Sequence, residues 1–177
     1  MFIFIAKVFW LFFPAGLANM APVLFKWIPF NAPVDFNKTY RGKPIFGPHK
    51  TFRGFIVGIL SAVAFIYMQR ALAPSMPDFV MIDYNSINVW ILGFIMGFTA
   101  LSGDLVSSFF KRQLEIEPGK NWVPYDQIDW SIPAIGFSAL YISISWPIAI
   151  TAFFLASFFH PFFNYLAYIL KINKSKF

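Results

Sequence analysis

The run Gly103-Asp104-Leu105-Val106-Ser107-Ser108-Phe109-Phe110-Lys111-Arg112 places an acid, two hydroxyls and two bases directly after an apolar stretch, Val89 to Leu101. That stretch is long enough to lie in a bilayer. A carboxylate at such a boundary is costly unless it is paired, hydrated or bound to a metal. At ~100° per residue, Asp104, Ser108, Lys111 and Glu115 share one narrow helical face. Asp126 and Asp129 follow at i, i+3, a spacing that turns both toward a divalent ion or makes both cap and dipole partners of the next helix. Upstream, Lys50, Thr51 and Arg53 stand where another apolar helix opens, and free N–H groups at a helix start favour anions. An acid, a hydroxyl and a base aligned this way, with two more acids just downstream, look like a site. The plainer readings are a solvated ion pair at a helix end and a basic loop touching lipid head groups.

Other chemistries are poorly supplied. There is no Cys, so disulfides and thiolate metal sites are excluded. His49 and His160 are single and far apart, which argues against zinc. Lys50-Thr51 echoes the end of a P-loop, but the glycine spacing is missing. Gly42 and Gly47 permit tight turns in the loop before Lys50.

The elements that must position these groups are membrane helices. The chain is 58% hydrophobic and 12% charged, with 25 Phe, and its mean hydropathy is +0.62. Soluble domains run at roughly 45–50% apolar and 25% charged. The net charge of +6 is no nucleic-acid signature, because the bases fall between apolar blocks, where they set orientation and attract anionic head groups. Those blocks cover roughly residues 2–25, 54–73, 87–103 and 131–170. The first is interrupted by Pro14, Asn19 and Pro22 and reads as a retained, kinked span with Asn19 facing protein, not a cleaved signal. The last, at ~60 Å as a helix, is twice the ~30 Å hydrocarbon core and must be two spans hinged near Ser145-Trp146-Pro147.

Loop charge supports five spans in an all-α, polytopic membrane protein. Residues 26–53 hold six bases (Lys26, Lys38, Arg41, Lys43, Lys50, Arg53) against Asp35 alone. Lys111, Arg112 and Lys120 follow the third block, and Lys171, Lys174 and Lys176 close the chain. The loop from Ala73 to Ser86 carries Asp78 and Asp83 and no base. Five spans put every basic segment on the cytoplasmic side. With no repeat and no composition shift, residues 1–177 read as a single domain whose chemistry sits in two cytoplasmic loops, 26–53 and 104–130.

The succession Asn19-Met20-Ala21-Pro22, Pro33-Val34-Asp35, Gly42, Gly47-x-x-Lys50-Thr51-x-Arg53-Gly54, Gly103-Asp104-Leu105-x-x-Ser108-x-x-Lys111-Arg112, Pro124, Asp126-Gln127-x-Asp129 and His160-x-x-x-Asn164 resembles the CDP-archaeol synthase family, a small membrane branch of the phosphatidate cytidylyltransferases. The likeness covers nearly the whole chain. Two positions depart from the pattern: Phe36-Asn37 stands where a Gly is usual, and Arg41 where an Asp often precedes Gly42.

The resemblance implies transfer of a cytidylyl group from CTP to a glycerol-based lipid phosphate, releasing pyrophosphate, at the cytoplasmic face of the cell membrane. The nucleophile is an ionised phosphate oxygen, so the obstacle is an anion attacking an anion. Mg²⁺ on oxygen ligands, with Lys and Arg around it, relieves that repulsion. The expected metal ligands are Asp104, Asp126 and Asp129, with Lys111 completing the catalytic group. Arg112 holds phosphate bidentately, Lys50, Thr51 and Arg53 close the anion site, and Ser108, Asp35 and Asn19 contribute substrate contacts or loop positioning. Two other functions fit the residues: a CTP-dependent polyprenol kinase, and a small channel or transporter. The latter would spread charges over several spans near mid-membrane and often repeat its halves.

Overall fold

Proline, glycine and capping residues decide how this chain becomes a bundle. In the computed structural model, which describes residues 1–118, 120 and 122–169, the order is α1 (Phe2–Leu24), β1 (Thr39–Tyr40), β2 (Lys43–Pro44), α2 (Phe52–Leu72), a 3₁₀ turn (Pro77–Phe79), α3 (Val89–Gln113), α4 (Tyr125–Ile128), α5 (Ser131–Tyr141) and α6 (Trp146–Ile169). The basic tail of Lys171, Lys174 and Lys176 lies outside the described residues, as do the side chains of His160 and Asn164.

Pro14 and Pro22 both sit inside α1. Each lacks an N–H, so each frees the carbonyl four residues before it. The freed Trp10 carbonyl accepts from Gln69 Nε2 of α2 at 2.5 Å, and Gln69 is fully buried. The freed Ala18 carbonyl faces Gly58, where a Cβ would come within 2.6 Å of it. The two helices therefore meet at the defects of the first. Gly93 and Gly97 do the same between α2 and α3: a Cβ at Gly93 would lie 2.6 Å from Val63 Cα, and one at Gly97 would lie 2.9 Å from Ile59 Cα. Where lipid gives no hydrophobic drive for helix association, such close backbone approach supplies the packing energy.

α2 packs on both α1 and α3, α5 lies on α3, and α6 runs beside α1 and α5. The shared core includes Leu11, Ile66, Leu92, Met96 and Trp130. The outward faces are apolar too, with Leu140, Trp146, Phe154 and Phe158 well over half exposed, as lipid contact requires and water would not tolerate. Among the described residues three helices, α1, α2 and α3, are long and apolar enough to cross a membrane.

The predicted blocks correspond to helices, with two differences. α3 does not stop at residue 103 but runs to Gln113, so Asp104, Ser108, Lys111 and Arg112 all sit on its last turns. The final block does divide at the expected hinge, but unequally: residues 142–145 leave the helix, and α5 keeps only 11 residues, about 16 Å. That half-length helix is pinned to α3 at both ends. The Asn88 N–H donates to Tyr141 Oη at 3.0 Å, and at the other end Gly103 meets the Asp129 carbonyl so closely that any Cβ would overlap it.

Candidate functional site

Most of the candidate residues from the sequence's two loops converge on one cavity of about 990 Å³. Lys50, Asp104, Lys111, Arg112, Asp126 and Asp129 line it, together with Phe9, Phe12 and Phe13 of α1 and Ala152, Ala156 and Phe159 of α6. Asn19, Thr51, Arg53 and Ser108 also line it. Of the candidate residues only Asp35 lies outside the lining.

Asp35 builds the loop from behind. Its Oδ1 accepts from Asn37 N at 2.9 Å, and its Oδ2 accepts from Phe46 N at 2.9 Å and Gly47 N at 3.0 Å. Burial pushes its carboxyl upward, but these backbone donors outweigh burial and hold it below the usual carboxylate range. The cost of the arrangement is visible at the two departures from the family pattern. Phe36 (φ 50) and Asn37 (φ 59) occupy the left-handed region, and so do Arg41 (φ 52) and Gly42 (φ 78) in the two-residue turn joining β1 to β2. Gly, Asn and Asp adopt that region most easily, so Phe36 and Arg41 are the strained choices there. Phe36 is compensated by its ring packing on Phe52, centroids 5.3 Å apart, and the Arg41 guanidinium lies 5.3 Å from the Tyr40 ring centre.

The loop closes where Val34 N donates to the Lys50 carbonyl at 2.8 Å and Phe52 N to the Ala32 carbonyl at 3.0 Å. This fixes Lys50 and the start of α2. Thr51 is the N-cap, its hydroxyl accepting from Gly54 N at 3.2 Å. Arg53 reaches back to the chain leaving α1: Nη1 donates to the Lys26 and Ile28 carbonyls, both at 2.8 Å. Both residues border the cavity while holding its frame.

Across from this loop, α3 presents Asp104, whose Oδ2 lies 2.5 Å from Lys50 Nζ. Lys111 does not pair back along α3 to Asp104; it turns to Asp126 Oδ2 at 2.7 Å. Asp126 also accepts from Ser107 Oγ at 3.2 Å and Trp122 N at 2.7 Å. Arg112 is buried against the turn at Gly47, its Nε without a partner among the described residues. The expected fourth member of the helical face, Glu115, is not in the site. α3 ends at Gln113, Glu115 takes φ 61 in the turn that stops the helix, and its carboxylate pairs with Lys43 at 2.9 Å outside the cavity.

Asp129 follows α4 in the turn leading to α5, its Oδ1 accepting from Trp130 N at 2.7 Å. Burial first, and then the nearby Asp104, push its carboxyl up to about 7. Among the described residues no three His, Cys, Asp or Glu side chains are grouped to hold a metal as they stand, and Asp104 and Asp126 are engaged by ammonium groups.

Several lining residues were not singled out from sequence, among them Lys26, Lys120 and Trp130. Gly54-x-x-x-Gly58 and Gly93-x-x-x-Gly97 are small-residue repeats of the kind that join membrane helices, and that spacing was available as a signal.

Over residues 1–177 the chain matches the family described as CarS-like, CDP-archaeol synthase. It is 34% identical to the CDP-archaeol synthase of Pyrobaculum islandicum over 94% of each chain, and 34% identical to that of Thermococcus kodakarensis over 90% of this chain and 89% of the other. A solved structure described as an intramembrane enzyme for archaeal membrane lipids biosynthesis superimposes with a TM-score of 0.69 at 26% identity, covering 86% of this chain and 89% of that one.

Proposed function

The chain belongs to the CDP-archaeol synthase family, and from that premise we propose that Asp104, Asp126 and Asp129 hold a divalent cation, Mg²⁺, while Lys50, Lys111 and Arg112 hold the phosphates of CTP and of the lipid. The reaction itself is that of the family: a CTP-dependent cytidylyltransferase in an integral membrane protein joins CTP to a lipid phosphate, forming CDP-archaeol for lipid biosynthesis. The observation that carries the site assignment is a single cavity lined both by acids and bases and by aromatic and aliphatic side chains.

The donor set suits a hard cation. Carboxylate oxygens are what Mg²⁺ takes, and a cation beside Asp129, whose carboxyl burial and then the nearby Asp104 push up to about 7, would favour its charged form. Bound there, a divalent cation would neutralise phosphate oxygens and the departing pyrophosphate. The chain's own residues account for the rest. Arg112, buried and held by Gly47, offers a fixed planar donor to a phosphate. Lys50 and Lys111 offer mobile charges on either side of it. Asp35 keeps the loop that carries Lys50 in register. The apolar wall between α1 and α6 leaves the lipid chains in the bilayer while the head group meets the nucleotide, which places the two phosphates in reach of each other.

Labelled nucleotide tests this reading. With a divalent cation and an archaeal lipid phosphate, label from the α-phosphate of CTP should appear on the lipid and label from the γ-phosphate in pyrophosphate, and excess chelator should abolish both. Turnover undiminished in chelator would overturn the cation's role; γ-label on the lipid would instead mean the chemistry of a polyprenol kinase.

The charged lining of the cavity faces the cytoplasm in this proposal. Support comes from the six bases of residues 26–53 and from α5, which runs antiparallel to α3 between Gly103 and Asn88. Five passes then return α6 to the basic side. The chain has no Cys, so single cysteines report cleanly. Asp78→Cys should react with an impermeant maleimide in intact cells, and Glu117→Cys only after permeabilisation. The reverse pattern would invert the orientation.

A further inference from the structure

Two of the three carboxylates assigned to the cation, Asp104 and Asp126, are already engaged, each by a lysine from a different part of the fold. Lys50 Nζ, from the loop before α2, sits 2.5 Å from Asp104 Oδ2, and Lys111 Nζ, from α3, sits 2.7 Å from Asp126 Oδ2. Neither pair is a solvated surface contact: the Lys111 and Asp126 side chains are 13% and 17% exposed. We propose that Lys50 and Lys111 are exchangeable counter-ions, holding Asp104 and Asp126 until cation and nucleotide arrive together and then passing to the phosphates. The proposal rests on the assignment of Asp104, Asp126 and Asp129 as the cation's ligands.

Charge balance is what forces the coupling. A divalent cation entering alone must displace two ammonium groups, which would then stand beside it in a half-buried cavity with nothing to pair with. A nucleotide entering alone could draw the lysines to its phosphates, but Asp104 and Asp126 would be left as unpaired anions next to a polyanion. Entering together, the cation takes the carboxylates and the phosphates take the lysines, so every charge keeps a partner. The side chains suit the exchange. A lysine is a point charge on a flexible stem, and Lys50 can swing while its backbone stays tied through its carbonyl to Val34 N at 2.8 Å. Arg112, by contrast, is packed in place, and among the described residues it has no carboxylate within ion-pair distance.

Coupling of this kind is reciprocal: cation and nucleotide should each tighten the other's binding by one shared factor, typically roughly 5- to 150-fold. Binding is read without turnover by leaving out the lipid phosphate. Mn²⁺ is the probe, followed by loss of its free-ion magnetic resonance signal, and CTP is followed by equilibrium dialysis. For the unmodified chain, after subtracting the Mn²⁺–CTP complex formed in solution, each ligand should raise the other's affinity at least about fivefold. Lys50→Met and Lys111→Met should tighten Mn²⁺ binding in the absence of CTP and weaken CTP binding. Lys120→Met removes the same charge from a lysine that borders the cavity but pairs with Glu117 at 2.8 Å, and should leave Mn²⁺ affinity unchanged.

Equal Mn²⁺ affinity with and without CTP in the unmodified chain would overturn the exchange while leaving the ligand assignment standing. Tightening by Lys120→Met equal to that of the other two would also overturn it, reducing their effect to general electrostatics. Mn²⁺ affinity unaltered by Asp104→Asn and Asp126→Asn would sink the ligand assignment, and the exchange with it. If either Met variant fails to fold, the unmodified chain still decides the matter through the reciprocal titration.

Discussion

Asn at position 104, 126 or 129 is expected to cut turnover by at least roughly 10²- to 10³-fold, the loss typical when one preorganised charge-stabilising group is removed from a transition state. Asp→Asn keeps size and one acceptor oxygen but removes the charge that a cation needs. Pairing two such changes should add little to the worse single one, because groups acting through a shared centre fail together. Stability must be read alongside activity, since the three positions differ. Asp126 collects Lys111, Ser107 and the Trp122 N–H. Removing one partner of a buried ion pair costs about 3–5 kcal/mol, and hydrogen bonds that Asn can keep should hold Asp126→Asn below that. Asp104 and its partner Lys50 are each about a quarter exposed, so Asp104→Asn should melt closer to the unmodified protein. Measuring kcat at saturating and at limiting Mg²⁺, with a thermal melt for each variant, separates the roles. A variant that turns over near normally at limiting Mg²⁺ removes its residue from the cation site.

What was legible beforehand was whatever depends on local pattern. Apolar block length and the Trp146-Pro147 step gave the helices and the hinge between α5 and α6, because burial in lipid is a demand on consecutive residues. Loop composition gave the concentration of chemistry in two segments. The partners were not legible. Lys50 meets Asp104 across 54 residues, a contact set by how closely α2 and α3 pack at Gly93 and Gly97, and no helical spacing encodes that. The face drawn through Asp104, Ser108, Lys111 and Glu115 assumed that α3 continues past Gln113; the turn there removed Glu115 and left Lys111 free to find Asp126. Arg53 borders the cavity beside Lys50, but that its Nη1 also reaches the carbonyls of Lys26 and Ile28, where the chain leaves α1, is a long-range contact that no local spacing encodes. For Asp35 both substrate contact and loop positioning were open from sequence; its side chain accepts from the backbone two residues on, a common turn device, and Asp35-Phe36-Asn37 is one.

The close approach at Gly103 yields the most direct test that geometry, beyond charge, sets the activity. A methyl group there would lie 2.0 Å from the Asp129 carbonyl oxygen and 2.7 Å from Pro133 Cγ. Neither neighbour is a flexible side-chain tip. One is backbone and the other a ring at the start of α5, so the turn between α4 and α5 must move away from α3. Asp129 moves with it, and its separation from Asp104 changes. Overpacking of this kind costs about 1–3 kcal/mol, and a displacement near 1 Å at a reacting centre can cost about 10²-fold in rate. Gly103→Ala should therefore lower both the melting temperature and kcat, although no charged or polar group has been touched. Gly136→Ala is the matched control. It lies in α5 with nothing within 4 Å of the added methyl, so it should keep full activity and gain up to about 1 kcal/mol from better helix propensity. Full turnover by Gly103→Ala would mean that the position of Asp129 against α3 is not what the reaction requires, and Asp129 would lose its place among the cation's ligands.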